Sequence, residues 1–127
     1  MRRLLAPLLI CAAPAAAEPM DGAAFEAYTT GRTMFYGSGG QAYGAEEYFE
    51  NRRVRWSFLD GECKDGTWYE NGPMICFVYE DETDPQCWTF TRGAAGLIAR
   101  FEGRGDAIYE AQDLGEEMVC LGPKVGV

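Results

Sequence analysis

The chain has 127 residues and a net charge of −9, with 20 acidic against 11 basic side chains. Nucleic acids and anionic membranes repel a chain of this charge, so neither is an expected partner. The sequence contains no histidine, which excludes Ser-His and Cys-His catalytic arrangements and histidine-ligated zinc or haem.

The N-terminus has the three parts of a secretory signal peptide: basic Arg2 and Arg3, an apolar run from Leu4 to Ile10, and the small residues that end at Ala17. The apolar run is shorter than the roughly 20 residues that span a bilayer, so no retained membrane span is expected. Bulky Ile10 before Cys11 does not fit a lipoprotein cleavage site. We predict cleavage near Ala17 and a periplasmic or secreted protein.

Residues 18–127 are predicted to form a single β-rich domain. Loss of Arg2 and Arg3 with the signal leaves nine basic against twenty acidic side chains, a net charge of −11. This charge serves solubility, or it provides an acidic surface that meets a basic protein.

One short helix is predicted at the start of this domain. Asp21 can cap its N-terminus, residues 23–30 include good helix formers, and Gly31 is placed to end it. Ala24, Phe25 and Tyr28 share a face. We expect this helix to pack as a lid against a sheet.

The rest of the chain shows the patterns of strands separated by turns. Arg53 to Phe58 alternates strictly between polar and apolar residues, and Asp60-Gly61 and Asn71-Gly72 are strong hairpin-turn dipeptides. Turn signals recur about every 8–12 residues, which favours an antiparallel β-meander forming a small barrel or curved sheet. The predicted strands are 33–36, a weak 41–49, 53–58, 62–69, 73–80, 86–92, 97–101 and 107–111, followed by a tail over 115–127.

Four cysteines follow the signal, and an even count in a small exported domain predicts two disulfides. Folding strands 73–80 and 86–92 about the intervening loop places Cys76 opposite Cys87. Cys63 is then left for Cys120, which would hold the tail on the sheet. In the loop-entropy model these bridges contribute about 3 and about 4 kcal/mol.

The tight turns also predict which side chains share a face, although a slip of one residue would exchange the faces. A two-residue turn at Asn71-Gly72 sets Trp68 opposite Ile75, and the cysteine pair sets Ile75 opposite Trp88. One predicted face carries Trp68, Ile75, Phe77, Tyr79, Trp88 and Phe90, with Arg53 and Arg55 one strand away, and the other carries Val54, Trp56, Phe58, Met74 and Val78.

The candidate ligand surface combines aromatic and basic side chains of the first face: Arg53, Arg55, Trp68, Trp88 and Tyr79. Aromatic rings beside arginine can bind sugars, amphiphiles or anionic groups by stacking and bidentate hydrogen bonds. The alternative is that the rings form the core and the arginines are solvated.

Carboxylate clusters give no further site. The acidic run from Glu80 to Asp84 lacks the spacing of a calcium loop, and Lys64 occupies a ligand position in the EF-hand-like stretch 60–66. The pairs Glu46-Glu47 and Glu116-Glu117 could supply acid–base chemistry, but neighbours on a strand point to opposite faces. We therefore expect no catalytic residue, metal or cofactor.

Several short motifs carry a resemblance over roughly residues 21–120. They are Gly31-Arg32-Thr33, the run from Tyr48-Phe49 to Arg55-Trp56, Gly66-Thr67-Trp68, the run Cys76 to Tyr79, and Cys87-Trp88. With them the chain resembles a group of small exported, mostly alphaproteobacterial β-rich proteins without an assigned function. This resemblance implies a lipocalin-like β-meander and supplies no active site. Gly66-Thr67-Trp68 is similar to the G-x-W motif of lipocalins, which in that family lies in the first strand.

These observations predict a periplasmic, non-enzymatic binding or accessory module for a small amphiphilic or anionic ligand. The alternative is a protein-interaction module such as an inhibitor of lysozyme or another basic cell-wall hydrolase. It depends on a looser similarity to periplasmic lysozyme inhibitors and on attraction between opposite charges. A structural envelope protein without a ligand is a third possibility.

Overall fold

The structure, a computed structural model, describes residues 9–12, 17–111 and 117–121. A short helix precedes eight strands along the chain. The elements are α1 (Gly22–Thr29), β1 (Thr33–Ser38), β2 (Gln41–Tyr48), a 3-10 turn (Glu50–Arg52), β3 (Arg53–Ser57), β4 (Cys63–Asn71), β5 (Met74–Tyr79), β6 (Gln86–Gly93), β7 (Gly96–Phe101) and β8 (Ala107–Ala111).

The eight strands form a closed antiparallel barrel. Each strand pairs with the next in the chain, and β1 pairs with β8 to complete the ring. The predicted mainly β fold is confirmed, as a barrel rather than an open curved sheet. Closure leaves no unpaired edge among the eight described strands, and alternate side chains along each strand point into the barrel.

Helix α1 closes one end of the barrel. The Asp21 side chain accepts a hydrogen bond from the Ala24 amide at 2.8 Å, which confirms the predicted N-terminal cap. Phe25 is fully buried, and its ring lies 4.6 Å from Phe90 and 5.1 Å from Trp68, centroid to centroid. The helix therefore lies across the barrel end and inserts Phe25 into the interior.

The β3–β4 connection corrects the predicted faces. Ser57 pairs with Cys63, so five residues form the loop, and Leu59 and Gly61 within it both have positive φ. The Ser57 hydroxyl accepts a hydrogen bond from the Leu59 amide and donates one to the Glu62 carbonyl, which holds this wider loop closed.

The pairing of Ser57 with Cys63 differs by one residue from the register that a two-residue turn at Asp60-Gly61 would give, so the two faces of β3 are exchanged. Val54, paired with Gly66, and Trp56, paired with Lys64, belong to the barrel interior with Trp68. Arg53 and Arg55 lie on the outer face. Their predicted place beside the aromatic face is wrong.

The β4–β5 turn lies one position further along than predicted, which shifts the strand pairing by two residues. Asn71 pairs with Met74, so Gly72 and Pro73 form the turn, with Gly72 at a φ of 58°. Trp68 is opposite Phe77 instead of Ile75. A shift of two residues keeps every side chain on its face, and the predicted cluster of Trp68, Ile75, Phe77, Tyr79, Trp88 and Phe90 is indeed interior.

Both predicted disulfides are confirmed. Cys76 bonds to Cys87 directly across β5 and β6, and Cys63 bonds to Cys120. The Leu121 amide also donates to the Gly61 carbonyl at 2.8 Å, so residues 117–121 run beside the β3–β4 loop. Of the predicted tail, residues 115–116 and 122–127 lie outside the described residues, as do residues 1–8 and 13–16 of the predicted signal peptide.

Candidate functional site

The barrel contains a cavity of about 200 Å³ that lies on the side away from α1. The residues around its entrance come from the strand ends that meet at this side of the barrel: Tyr43, Phe58, Lys64, Gln86, Trp88 and Ile108. One barrel end is thus filled by Phe25, and the other holds a space large enough for a small molecule.

Aromatic side chains of β2 and β3 form one side of this entrance. The Trp56 ring lies 6.1 Å from the Tyr43 ring and 5.3 Å from the Phe58 ring, centroid to centroid. Tyr43 and Phe58 are 41% and 58% exposed, so apolar surface remains open to solvent here. Gly44 permits this packing, because a Cβ at this position would collide with the Trp56 ring.

Two tyrosines deeper in the cavity bond to each other. The Tyr36 and Tyr48 hydroxyls are 2.8 Å apart and buried, and both side chains line the cavity. Burial raises the pKa of both phenols, which keeps them neutral. One of the two hydroxyl protons is used in the mutual bond, and the other can be offered to a bound molecule.

Glu46 is an ionisable residue of this interior wall, and it is almost fully buried, at 1% exposure. The Tyr79 hydroxyl donates to its Oε1 at 2.7 Å, whereas Oε2 has no hydrogen-bond partner in the described part of the chain. An unpartnered buried polar atom costs about 1–3 kcal/mol. Such an atom in a cavity wall marks Glu46 as a candidate binding group.

Burial raises the pKa of Glu46 to about 8, because the charged carboxylate loses its contact with water. The hydrogen bond from Tyr79 and the positive charge of Lys64 act in the opposite direction and are outweighed. At neutral pH and without a ligand, Glu46 therefore carries a proton.

Lys64 lies at the entrance and forms ion pairs with acidic side chains of the β5–β6 turn. Its Nζ is 3.0 Å from a Glu82 carboxylate oxygen and 3.7 Å from Asp81, and it lies 4.8 Å from the centre of the Tyr79 ring. Gln86 donates to the other Glu82 oxygen at 2.6 Å. The acidic turn is thus held against the barrel rim.

The structure separates the residues of the predicted ligand surface. Tyr79 and Trp88 line the cavity. Trp68 is buried at the α1 end, where Phe25 and the Arg52 guanidinium pack on its ring. Arg53 and Arg55 lie outside, where both guanidinium groups pack near Phe49 and Arg55 also donates to Asp65 at 2.8 Å.

The sequence patterns do not identify the polar residues inside the cavity. They offer Glu46 only as one of an acid pair with Glu47, and they assign Tyr36, Tyr48 and Lys64 to no site. The available signal is the alternation Gly44, Glu46, Tyr48 along β2, which places an acid between a small and a large interior residue. That signal needs the register of β2, which its weak strand pattern does not supply.

Other predicted carboxylate clusters remain at the surface. Within the described ranges, no group of three or more acidic or cysteine side chains is arranged to hold a metal ion. Glu47 is partly exposed, Glu117 is exposed, and Glu116 lies outside the described residues.

Searches against protein-family models, curated proteins and solved structures find no match for this chain. Among the residues with a described structure, no helix is long and apolar enough to cross a bilayer.

Proposed function

We propose that this protein is a non-enzymatic binding module that holds one small amphiphilic molecule inside its barrel. The supporting observation is the aromatic-lined cavity of about 200 Å³, with buried polar groups in its wall and an opening at one end. Eight-stranded barrels are wide enough to hold one small ligand. A dry apolar cavity of roughly 150 Å³ accepts a benzene-sized molecule, so this one suits a ring with a short polar chain.

The charges around the cavity favour an amphiphile without a negative charge. Lys64 lines the cavity and is already paired with the Asp81 and Glu82 carboxylates. An anionic ligand would meet these two acids and a net charge of −9. The arginines that could bind an anion, Arg53 and Arg55, lie on the outer face and do not line this cavity.

The place of action that we propose is the periplasm or the cell exterior. The signal-like N-terminus supports export, and the two disulfides fit an oxidising compartment. The lipocalin-like resemblance agrees with a ligand-holding barrel.

The alternative role, inhibition of a basic hydrolase by surface contact, depends on net charge. Its best acidic element, the turn with Asp81 and Glu82, is bound to Lys64 rather than projecting freely. Cavity binding is therefore the better supported function.

The test uses 2-phenylethanol as an uncharged probe and isothermal titration calorimetry as the readout. Ala99 lines the cavity and is 4% exposed, and Ala99→Leu adds three carbon atoms there. We expect the unaltered protein to bind the probe and the Ala99→Leu variant to bind it at least tenfold more weakly.

Ala107→Leu is the matched control, because Ala107 faces outward on β8 next to the interior residue Ile108. It should leave binding unchanged. Absence of binding to the unaltered protein, or equal losses in the two variants, would contradict the proposed function.

A further inference from the structure

We propose that the ligand is a small organic amine, whose ammonium group bonds to the free carboxylate oxygen of Glu46 while its apolar body packs among the aromatic rings of the cavity. This inference rests on the proposed function and adds the chemical class of the ligand and the residue that selects it.

The first argument is the hydrogen-bonding state of Glu46. The Tyr79 hydroxyl occupies Oε1 at 2.7 Å and holds the carboxyl group in one position. Oε2 is buried without a partner in the described structure, and Glu46 lines the cavity. Nearly all buried polar atoms in proteins have a partner, and an ammonium group that replaces the carboxyl proton would bond to the ionised Oε2 and complete this site.

The second argument is the nature of the surrounding side chains. Tyr36, Tyr48, Trp56 and Tyr79 line the same cavity as Glu46. The faces of aromatic rings attract cations, and rings grouped around a binding space are a common way to recognise ammonium groups. An alcohol can bond to the neutral Glu46 carboxyl group but does not use the cation-binding rings, whereas the negative ring faces repel a carboxylate ligand.

The third argument is the charge along the path of entry. Asp81 and Glu82 flank the entrance, and the only cationic group that lines the described cavity, Lys64, is bonded to both. Together with the net charge of −9, these acids would concentrate small cations near the opening.

Binding of an amine has a defined proton balance. The groups that face Glu46 are Tyr79, Lys64 and the Tyr36–Tyr48 pair. Burial raises the pKa of Glu46 to about 8, so its carboxyl group keeps its proton at pH 7. At pH 7 an ammonium ion therefore binds while the Glu46 carboxyl loses its proton to solvent, and no bond in the ligand changes. The alcohol binds without this release.

The experiment compares three probes with one phenylethyl body: 2-phenylethylamine, 2-phenylethanol and 3-phenylpropionate. Calorimetry at pH 7 in two buffers of different ionisation enthalpy measures the protons released. We expect the amine to bind at least tenfold more tightly than the alcohol and to release about one proton, and the carboxylate to bind most weakly.

Glu46→Gln keeps an oxygen that can accept from Tyr79 but removes the group that ionises when the amine binds. It should weaken amine binding at least tenfold and change alcohol binding less than threefold. Glu47→Gln is the matched control, since Glu47 is the next residue on β2 and faces outward. This variant should change neither affinity.

Each outcome separates the two proposals. If alcohol and amine bind equally and no proton is released, Glu46 does not select the ligand, and the inference is overturned while cavity binding stands. If none of the three probes binds, the proposed function itself fails and the inference with it. Proton release is measured on the unaltered protein, so the test holds even if Glu46→Gln does not fold.

Discussion

At the scale of single residues, Glu46 should make the stability of the protein depend on pH. Its pKa is about 8 in the folded state, against 4.5 for an ordinary glutamate. Between these values the folded protein holds one proton more than the unfolded chain, so the free energy of unfolding falls as pH rises. The loss is about 1.4 kcal/mol per pH unit and ends near pH 8.

Urea denaturation of the unaltered protein and of Glu46→Gln at pH 5, 6.5 and 8 measures this effect. The variant keeps every other titrating group, so the difference between the two proteins isolates Glu46. We expect the variant to be more stable by a growing margin as pH rises. A constant difference across this range would show that Glu46 is not held protonated in the folded state.

The same residue shows what a sequence alone can establish about the site. The rule that strand neighbours face opposite ways predicts that Glu46 and Glu47 separate, and they do. It does not say which of the two is inside. That depends on a pairing of Tyr36 with Gly44 that is followed by a shift in the β1–β2 register, and no local pattern indicates such an irregularity.

At the scale of elements, α1 should stabilise the barrel mainly through one side chain. Phe25 is fully buried against Trp68, Phe77, Tyr48 and Phe90. Phe25→Ala is expected to lower the free energy of unfolding by about 3–5 kcal/mol, since it removes a large buried ring and leaves a void.

Urea denaturation followed by tryptophan fluorescence measures this loss. Phe25→Leu, which retains most of the buried apolar surface, should cost roughly 1–2 kcal/mol. If the alanine variant is as stable as the leucine variant, the helix does not close the barrel end in the way described.

The elements themselves were largely predictable, and their connections were not. Strong alternation predicted β3, and the tight-turn dipeptides correctly indicated turns near residues 60 and 71. The dipeptides could not fix the loop length, because Ser57 closes a five-residue loop in place of a two-residue turn. The resulting one-residue change in the β3–β4 register places Arg53 and Arg55 outside and Trp56 in the cavity.

At the scale of the whole molecule, the fold followed from the spacing of turns and cysteines. Eight strands in chain order can close only if the last pairs with the first, and the Cys63–Cys120 bridge also ties the described segment 117–121 to the barrel. The cavity could not be predicted at this level. Its existence depends on how completely interior side chains fill a closed barrel, which the pattern of apolar residues does not determine.

The central claim is that a small amphiphile binds inside the barrel, and the three tryptophans permit a direct test. Trp56 and Trp88 line the cavity, whereas Trp68 is packed at the α1 end. The measurement is a ¹⁵N–¹H NMR titration of the indole and arginine side-chain signals with 2-phenylethylamine. The account predicts large shifts for the Trp56 and Trp88 indoles, smaller ones for Trp68, and none for the Nε–H groups of Arg53 and Arg55. Shifts confined to those arginines, or no shift of the Trp56 and Trp88 indoles, would contradict it.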